Sequence, residues 1–126
     1  MKIGIVGSSK CPYNADSIFF IKNIIDSYPP DTTFISGGAK GVDVIVEDIC
    51  ELMGRTIIIH NPRTNNWAGF KERNIRIADM SDEVVSVALK YSGNRCYHCN
   101  SISHDKTAGC WTMNKCKKGR VVVFND

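Results

Sequence analysis

The residues of this chain whose types and spacing can do chemistry fall in two clusters. The first is the turn Ser36-Gly37-Gly38-Ala39-Lys40-Gly41-Val42-Asp43. Gly37 and Gly38 allow positive φ and close approach of backbone to a ligand. Apolar residues at helical spacing begin at Val42, so the turn feeds a helix N-terminus. Free N–H groups and the helix dipole at such an end attract phosphate. Ser8 and Ser9 after Gly7, together with Ser36 and Thr107, supply hydroxyl donors, and Lys10 and Lys40 supply charge. Asp43 lies in the first helical turn, where it can cap N–H groups or hold a ribose hydroxyl.

The second cluster is Cys96, Cys99, His104 and Cys110, spaced C-x2-C-x4-H-x5-C. A C-x2-C turn puts two thiolates on one side of a metal. The later His and Cys complete the tetrahedral set of a structural zinc, with no position left for water. His98 and Cys116 are the alternative ligands. Cys116 is placed to pack against the sheet, and Cys11 and Cys50 read as non-metal residues. Residues 91–106 carry almost no apolar side chains and cannot order themselves by burial. Zinc would supply that order, and residues 91–110 read as a zinc-binding insertion.

The elements that must position these clusters alternate along the chain. Ile3 to Val6 reads as a strand, and Ile18, Ile21, Ile24, Ile25 and Tyr28 share one helix face before Pro29-Pro30. Thr32 to Ile35 is a second strand. Val42, Ile45, Val46, Ile49, Cys50 and Met53 mark a second helix stopped by Gly54. Arg55 to Ile59 reads as a strand buried on both faces. His60 to Asn66 is a polar loop, with His60 an ordinary strand-end residue. Phe70 to Met80 is a third helix, Glu83 to Leu89 a fourth strand, Thr107 to Lys118 a fourth helix, and Arg120 to Phe124 a fifth strand. Strict alternation implies an α/β fold of Rossmann-like type. Five parallel strands would be joined by right-handed crossovers, with helices on both faces. Ligands of such sheets sit beyond the carboxyl ends of the strands, where the glycine turns fall.

The 126 residues amount to one domain, 1–126. The net charge of +3 is too mild for a DNA-coating protein but suits a local anion site. No apolar stretch is long enough to span a bilayer, and the N-terminus does not read as a signal peptide. The expected location is cytoplasmic. There, clustered cysteines favour metal over disulfides.

The chain resembles the SLOG superfamily, the Rossmann-like group that includes the Lonely-Guy phosphoribohydrolases and the Smf-type DNA-processing proteins. The resemblance runs through Gly7-Ser8, Ser36 to Asp43, Gly69-Phe70-Lys71-Glu72-Arg73-Asn74, Ser81-Asp82-Glu83-Val84-Val85 and Thr107. It implies a nucleotide-derived ligand bound across Gly7, Ser8, Ser9, Ser36, Gly37, Gly38, Ala39, Lys40, Gly41, Asp43, Arg73, Asn74 and Thr107. It also implies a homodimer, and a candidate catalytic role for Arg73. The Lonely-Guy motif Pro-Gly-Gly-x-Gly-Thr-x-x-Glu is absent, however. Aligned on Thr107, Cys110 stands where the essential glutamate would be. N-glycosidic cleavage needs a carboxylate near the ribose, and Asp43 or Glu72 would have to substitute. The cysteine pattern resembles the retroviral zinc knuckle, which differs by one residue in the last gap.

The leading expectation is therefore a module that holds a nucleotide-derived small molecule, as sensor or sequestering protein, beside a zinc-pinned loop. The alternatives are a nucleotide N-glycosidase or phosphoribohydrolase, and a single-stranded nucleic-acid binder. The last would use the knuckle with Tyr97, Arg95, Lys106, Lys115, Lys117 and Lys118. Trp67 is placed either to stack on a base or to cover the sheet edge.

Overall fold

The computed structural model describes residues 1–89, Cys96 and residues 108–124. The elements are β1 (Lys2–Gly7), α1 (Ala15–Asp26), β2 (Thr33–Ser36), α2 (Val42–Met53), β3 (Thr56–Ile59), α3 (Trp67–Met80), β4 (Glu83–Leu89), α4 (Ala108–Lys115) and β5 (Gly119–Phe124). The five strands form one sheet in the order β3-β2-β1-β4-β5. Every pairing is parallel. This is the Rossmann-like α/β topology. The strand order reverses between β1 and β4, the crevice where open sheets of this type take ligands.

Alternation along each strand sends side chains to two different cores. On β1, Ile3 and Ile5 join Phe34, Val85 and Val87 against Ile21, Ile25, Val42, Ile45 and Ile49 of α1 and α2. Val6, Ile35 and Val84 point the other way and meet Ile77 of α3 and Met113 of α4. The period-2 pattern thus places α1 and α2 on one face and α3 and α4 on the other. Among the described residues no helix is long and apolar enough to cross a membrane.

Some sequence expectations shift. β3 reads by composition as buried on both faces, yet Thr56 and Ile59 are exposed and Ile57 and Ile58 half-buried. Its place at the sheet edge explains this, since an edge strand lacks a neighbour on one side. α3 starts at Trp67 rather than Phe70, because the Asn66 side chain accepts the Gly69 N–H at 3.0 Å and caps the helix. α4 ends at Lys115 instead of Lys118. Lys118 already belongs to the strand edge, its carbonyl accepting the Val84 N–H at 3.0 Å. Thr107 lies outside the described residues.

At the amino edge of the sheet, Glu83 opens β4 and is largely buried. It accepts the Tyr28 hydroxyl and pairs with Lys118 at 3.4 Å and Arg120 at 3.7 Å. Burial pushes its carboxyl up, but the Tyr28 bond and the two cations outweigh that and hold it below its ordinary value. This cluster pins β5 and α1 to β4, at the edge opposite the glycine turns.

A candidate ligand site at the carboxyl edge of the sheet

The turns after β1 and β2 are built on each other. Gly41, the residue before α2, has φ +75° and no side-chain cap. A Cβ there would run into the Ser8 carbonyl and lie 2.7 Å from the Ser9 carbonyl carbon. The same Ser8 carbonyl accepts the Val42 N–H at 3.2 Å and the Cys11 N–H at 3.3 Å, while the Ser8 N–H donates to Val87 at 3.3 Å. Ser8 Oγ accepts the Lys10 N–H at 3.1 Å. Ser8 therefore ties β1, α2 and β4 together at the switch point. Ser9, Lys10 and Lys40 are exposed at the surface of this junction.

Underneath lies a buried polar cluster. Asp43 is 5% exposed, and its Oδ2 accepts the Ala39 N–H at 3.2 Å. Burial raises the carboxyl and Glu47 adds to the rise; the Ala39 amide, the Arg73 guanidinium and the Gly37 amide offset part of it, leaving it at about 7. Asp43 thus occupies the Ala39 amide, one of the turn's own N–H groups. Its Oδ1 is buried with no hydrogen-bond partner.

Arg73 reaches across from α3. Its Nη1 donates to the Gly37 carbonyl, its Nε to Asn74 Oδ1 at 2.7 Å, and its guanidinium carbon sits 5.7 Å from the centre of the Phe70 ring. Gly37 separates it from Asp43: a Cβ there would lie 2.7 Å from Arg73 Nη1 and 3.0 Å from Asp43 Oδ2. Asn74 is 3% exposed, and its Nδ2 has no hydrogen-bond partner. Arg73 and Asn74 are therefore parts of a buried cluster and not of a solvated helix face.

Ser36 ends β2 fully buried, with its hydroxyl donating to Glu47. Glu47, one turn after Asp43 on α2, is a member of this cluster that the motif reading passes over. Its i, i+4 spacing from Asp43 is the signal that marks it. Asn61, from the loop after β3, closes over Gly38 (φ +69°): a Cβ there would lie 3.0 Å from Asn61 Cγ.

The rim is also defined. His60 Nδ1 lies 3.3 Å from Arg76 Nη1, and its Nε2 lies 3.3 Å from Met80 Sδ. Arginine only donates, so Nδ1 accepts and the proton sits on Nε2. Burial and then Arg76 lower its pKa. His60 is thus a neutral, engaged strand-end residue, as its sequence position implies. Arg76 also pairs with Glu72 at 3.0 Å. Trp67 is half-exposed and packs edge-on against Trp111, with centroids 5.6 Å apart.

The first turn of α4 closes the other side of the crevice. A Cβ on Gly109 would lie 2.9 Å from Gly7 Cα and 2.9 Å from Ser86 Oγ. Cys110 is fully buried, with Sγ 3.5 Å from Ser86 Oγ. Cys96 is also fully buried. Cys99 and His104 lie outside the described residues, as does His98. Among the described residues no group of three or more metal-ligating side chains occurs. Cys116 packs on the α3–α4 core with Sγ 3.5 Å from the Ser81 carbonyl, and Cys50 is buried in the other core. Of the basic residues considered for nucleic acid, Lys118 is engaged by Glu83, and Lys115 lies 5.0 Å from the Trp111 ring centre.

No protein-family model matches the chain, and neither does any curated protein or solved structure.

Proposed function

We propose that the chain binds a nucleotide or nucleotide-derived small molecule at the carboxyl edge of its sheet, as a sensor or sequestering module. One observation carries this reading: buried, unpartnered polar atoms of Asp43 and Asn74 lie beside a glycine turn that opens a helix without a side-chain cap. Native proteins rarely leave such atoms unsatisfied. Because Asp43 holds the Ala39 amide and the Ser8 carbonyl holds the Val42 N–H, the phosphate falls to the remaining first-turn N–H groups of α2 and to the exposed Lys10 and Lys40. The resemblance to the SLOG superfamily supports the same ligand class, with a second copy of the chain as partner.

The test is thermal denaturation with inorganic phosphate and the four ribonucleoside 5′-monophosphates. A ligand at a hundred times its Kd stabilises by about 2.7 kcal/mol, a shift of several degrees. Lys40→Ala together with Lys10→Ala should weaken binding about tenfold and steepen no other transition. Unshifted melting with every one of these ligands at millimolar concentration would sink the reading.

A second reading, nucleotide N-glycosidase or phosphoribohydrolase, is favoured by the Asp43 carboxyl at about 7, the poise of a general acid or base near neutral pH. It predicts free base from the same nucleotides, lost in Asp43→Asn.

A structural zinc on Cys96, Cys99, His104 and Cys110 belongs to the same proposal. Two of the four donors, Cys96 and Cys110, are buried thiols, and the donor set has the chemistry of a closed zinc site. The metal would order the loop beside the pocket. Elemental analysis should find about one zinc per chain, lost in Cys99→Ser and kept in Cys116→Ser. A metal-free chain that melts identically with and without chelator would remove zinc from the account.

A further inference from the structure

We infer that Asp43 and Asn74 together read a sugar hydroxyl, so that the site selects ligands carrying the intact ribose diol. The inference rests on the nucleotide-binding reading above and narrows it.

The argument starts from which atoms are left over. Asp43 Oδ2 is fixed by the Ala39 N–H at 3.2 Å, so Oδ1 is the acceptor without a partner. Asn74 Oδ1 is fixed by the Arg73 Nε at 2.7 Å, so its amide orientation is set and Nδ2 is the donor without a partner. Both residues are more than nine-tenths buried. They flank the same guanidinium, which reaches the Gly37 carbonyl between them.

An acceptor and a donor of this kind exclude most ligand groups. A phosphate oxygen satisfies Asn74 but is repelled by a carboxylate. An ammonium satisfies Asp43 but faces Arg73 and an N–H donor. An aliphatic carbon leaves both atoms orphaned. A hydroxyl donates and accepts at once, and a vicinal diol offers one hydroxyl to each. Phosphate and sugar are thereby separated: phosphate beside the exposed Lys10 and Lys40 at the turn before α2, ribose towards the buried pair. Both atoms are buried, so the cover over them must open when the sugar binds.

The experiment is calorimetric titration of the unmodified full chain at pH 8. The ligands are inorganic phosphate, ribose 5-phosphate, 2-deoxyribose 5-phosphate, the four ribonucleoside monophosphates and their 2′-deoxy and 3′-deoxy counterparts. Removing a hydroxyl leaves a buried group unpaired, so the tightest ribonucleotide should lose about 10- to 100-fold in affinity with at least one deoxy counterpart. Asn74→Ala should abolish that preference while phosphate still binds; the wild-type comparison stands even if this variant folds poorly. If phosphate and ribonucleotides bind but both deoxy series bind within about threefold of them, the hydroxyl inference is wrong and the nucleotide reading survives. If neither phosphate nor any nucleotide binds, both are wrong.

Discussion

Arg73→Ala is expected to destabilise the chain by about 3–5 kcal/mol, enough to lower Tm by roughly 10–20 °C. Arg73 is 7% exposed, and its side chain donates to the Gly37 carbonyl and to Asn74 Oδ1. Truncation strands both acceptors, removes the packing on Phe70 and takes away the cation that favours the Asp43 carboxylate. Arg73→Lys should recover only part of the loss, because one ammonium cannot reproduce a fork that serves two acceptors. The control is Arg63→Ala. Arg63 is 75% exposed in its 3.6 Å pair with Glu72, and such surface pairs contribute about 0–1 kcal/mol. Urea unfolding of the three variants decides the matter. A loss below about 1 kcal/mol in Arg73→Ala would mean that Arg73 is held for the ligand alone.

The second large effect concerns pH. The Asp43 carboxyl is raised from 3.8 to about 7 in the folded chain, so the folded state holds its proton more tightly than the unfolded state. Its contribution to stability is fully present below about pH 3.8 and is lost as pH rises through about 7. The full span is on the order of 4 kcal/mol. Asp43→Asn removes the titration. Relative to wild type, the variant should gain about 2 kcal/mol between pH 5.5 and pH 8.5. His60, whose pKa is lowered, works in the opposite direction: its contribution is present above 6.5 and lost as pH falls. It is common to both proteins and cancels in the difference, as does Glu83. A difference that stays flat across this window would mean that Asp43 is ionised throughout. Asp43→Asn should also weaken the preference for the ribose diol. A position that costs stability yet serves a ligand is what a functional site leads one to expect.

Much of the architecture was legible in the sequence, because it follows from local periodicity. Ile3, Ile5, Phe34, Val85 and Val87 alternate as strand residues must. Val42, Ile45, Val46 and Ile49 recur at helical spacing, and βα alternation then enforces parallel strands. Gly41 and Gly54, both at positive φ, stand where a turn and a helix stop need them. The turns that the fold brings together after β1 and β2 at the strand-order switch were also legible by residue type, whereas Glu47 and Asn61 were not.

What each site residue does was decided only by tertiary structure, because burial and partnership depend on which elements become neighbours. Strand order put β3 at the edge and exposed Ile59, although its composition is that of a buried strand. The packing of α3 on β1 and α4 turned Arg73 and Asn74 inward. The turn that began as a set of amides waiting for phosphate proved to hold its own carboxyl: Asp43 accepts the Ala39 N–H, Ser36 is taken by Glu47, and the unpartnered atoms lie on Asp43 and Asn74. Spacing along a chain specifies which groups are near a turn. Desolvation and the count of donors against acceptors, which exist only once the chain has closed around them, determine which of those groups are still open to a ligand.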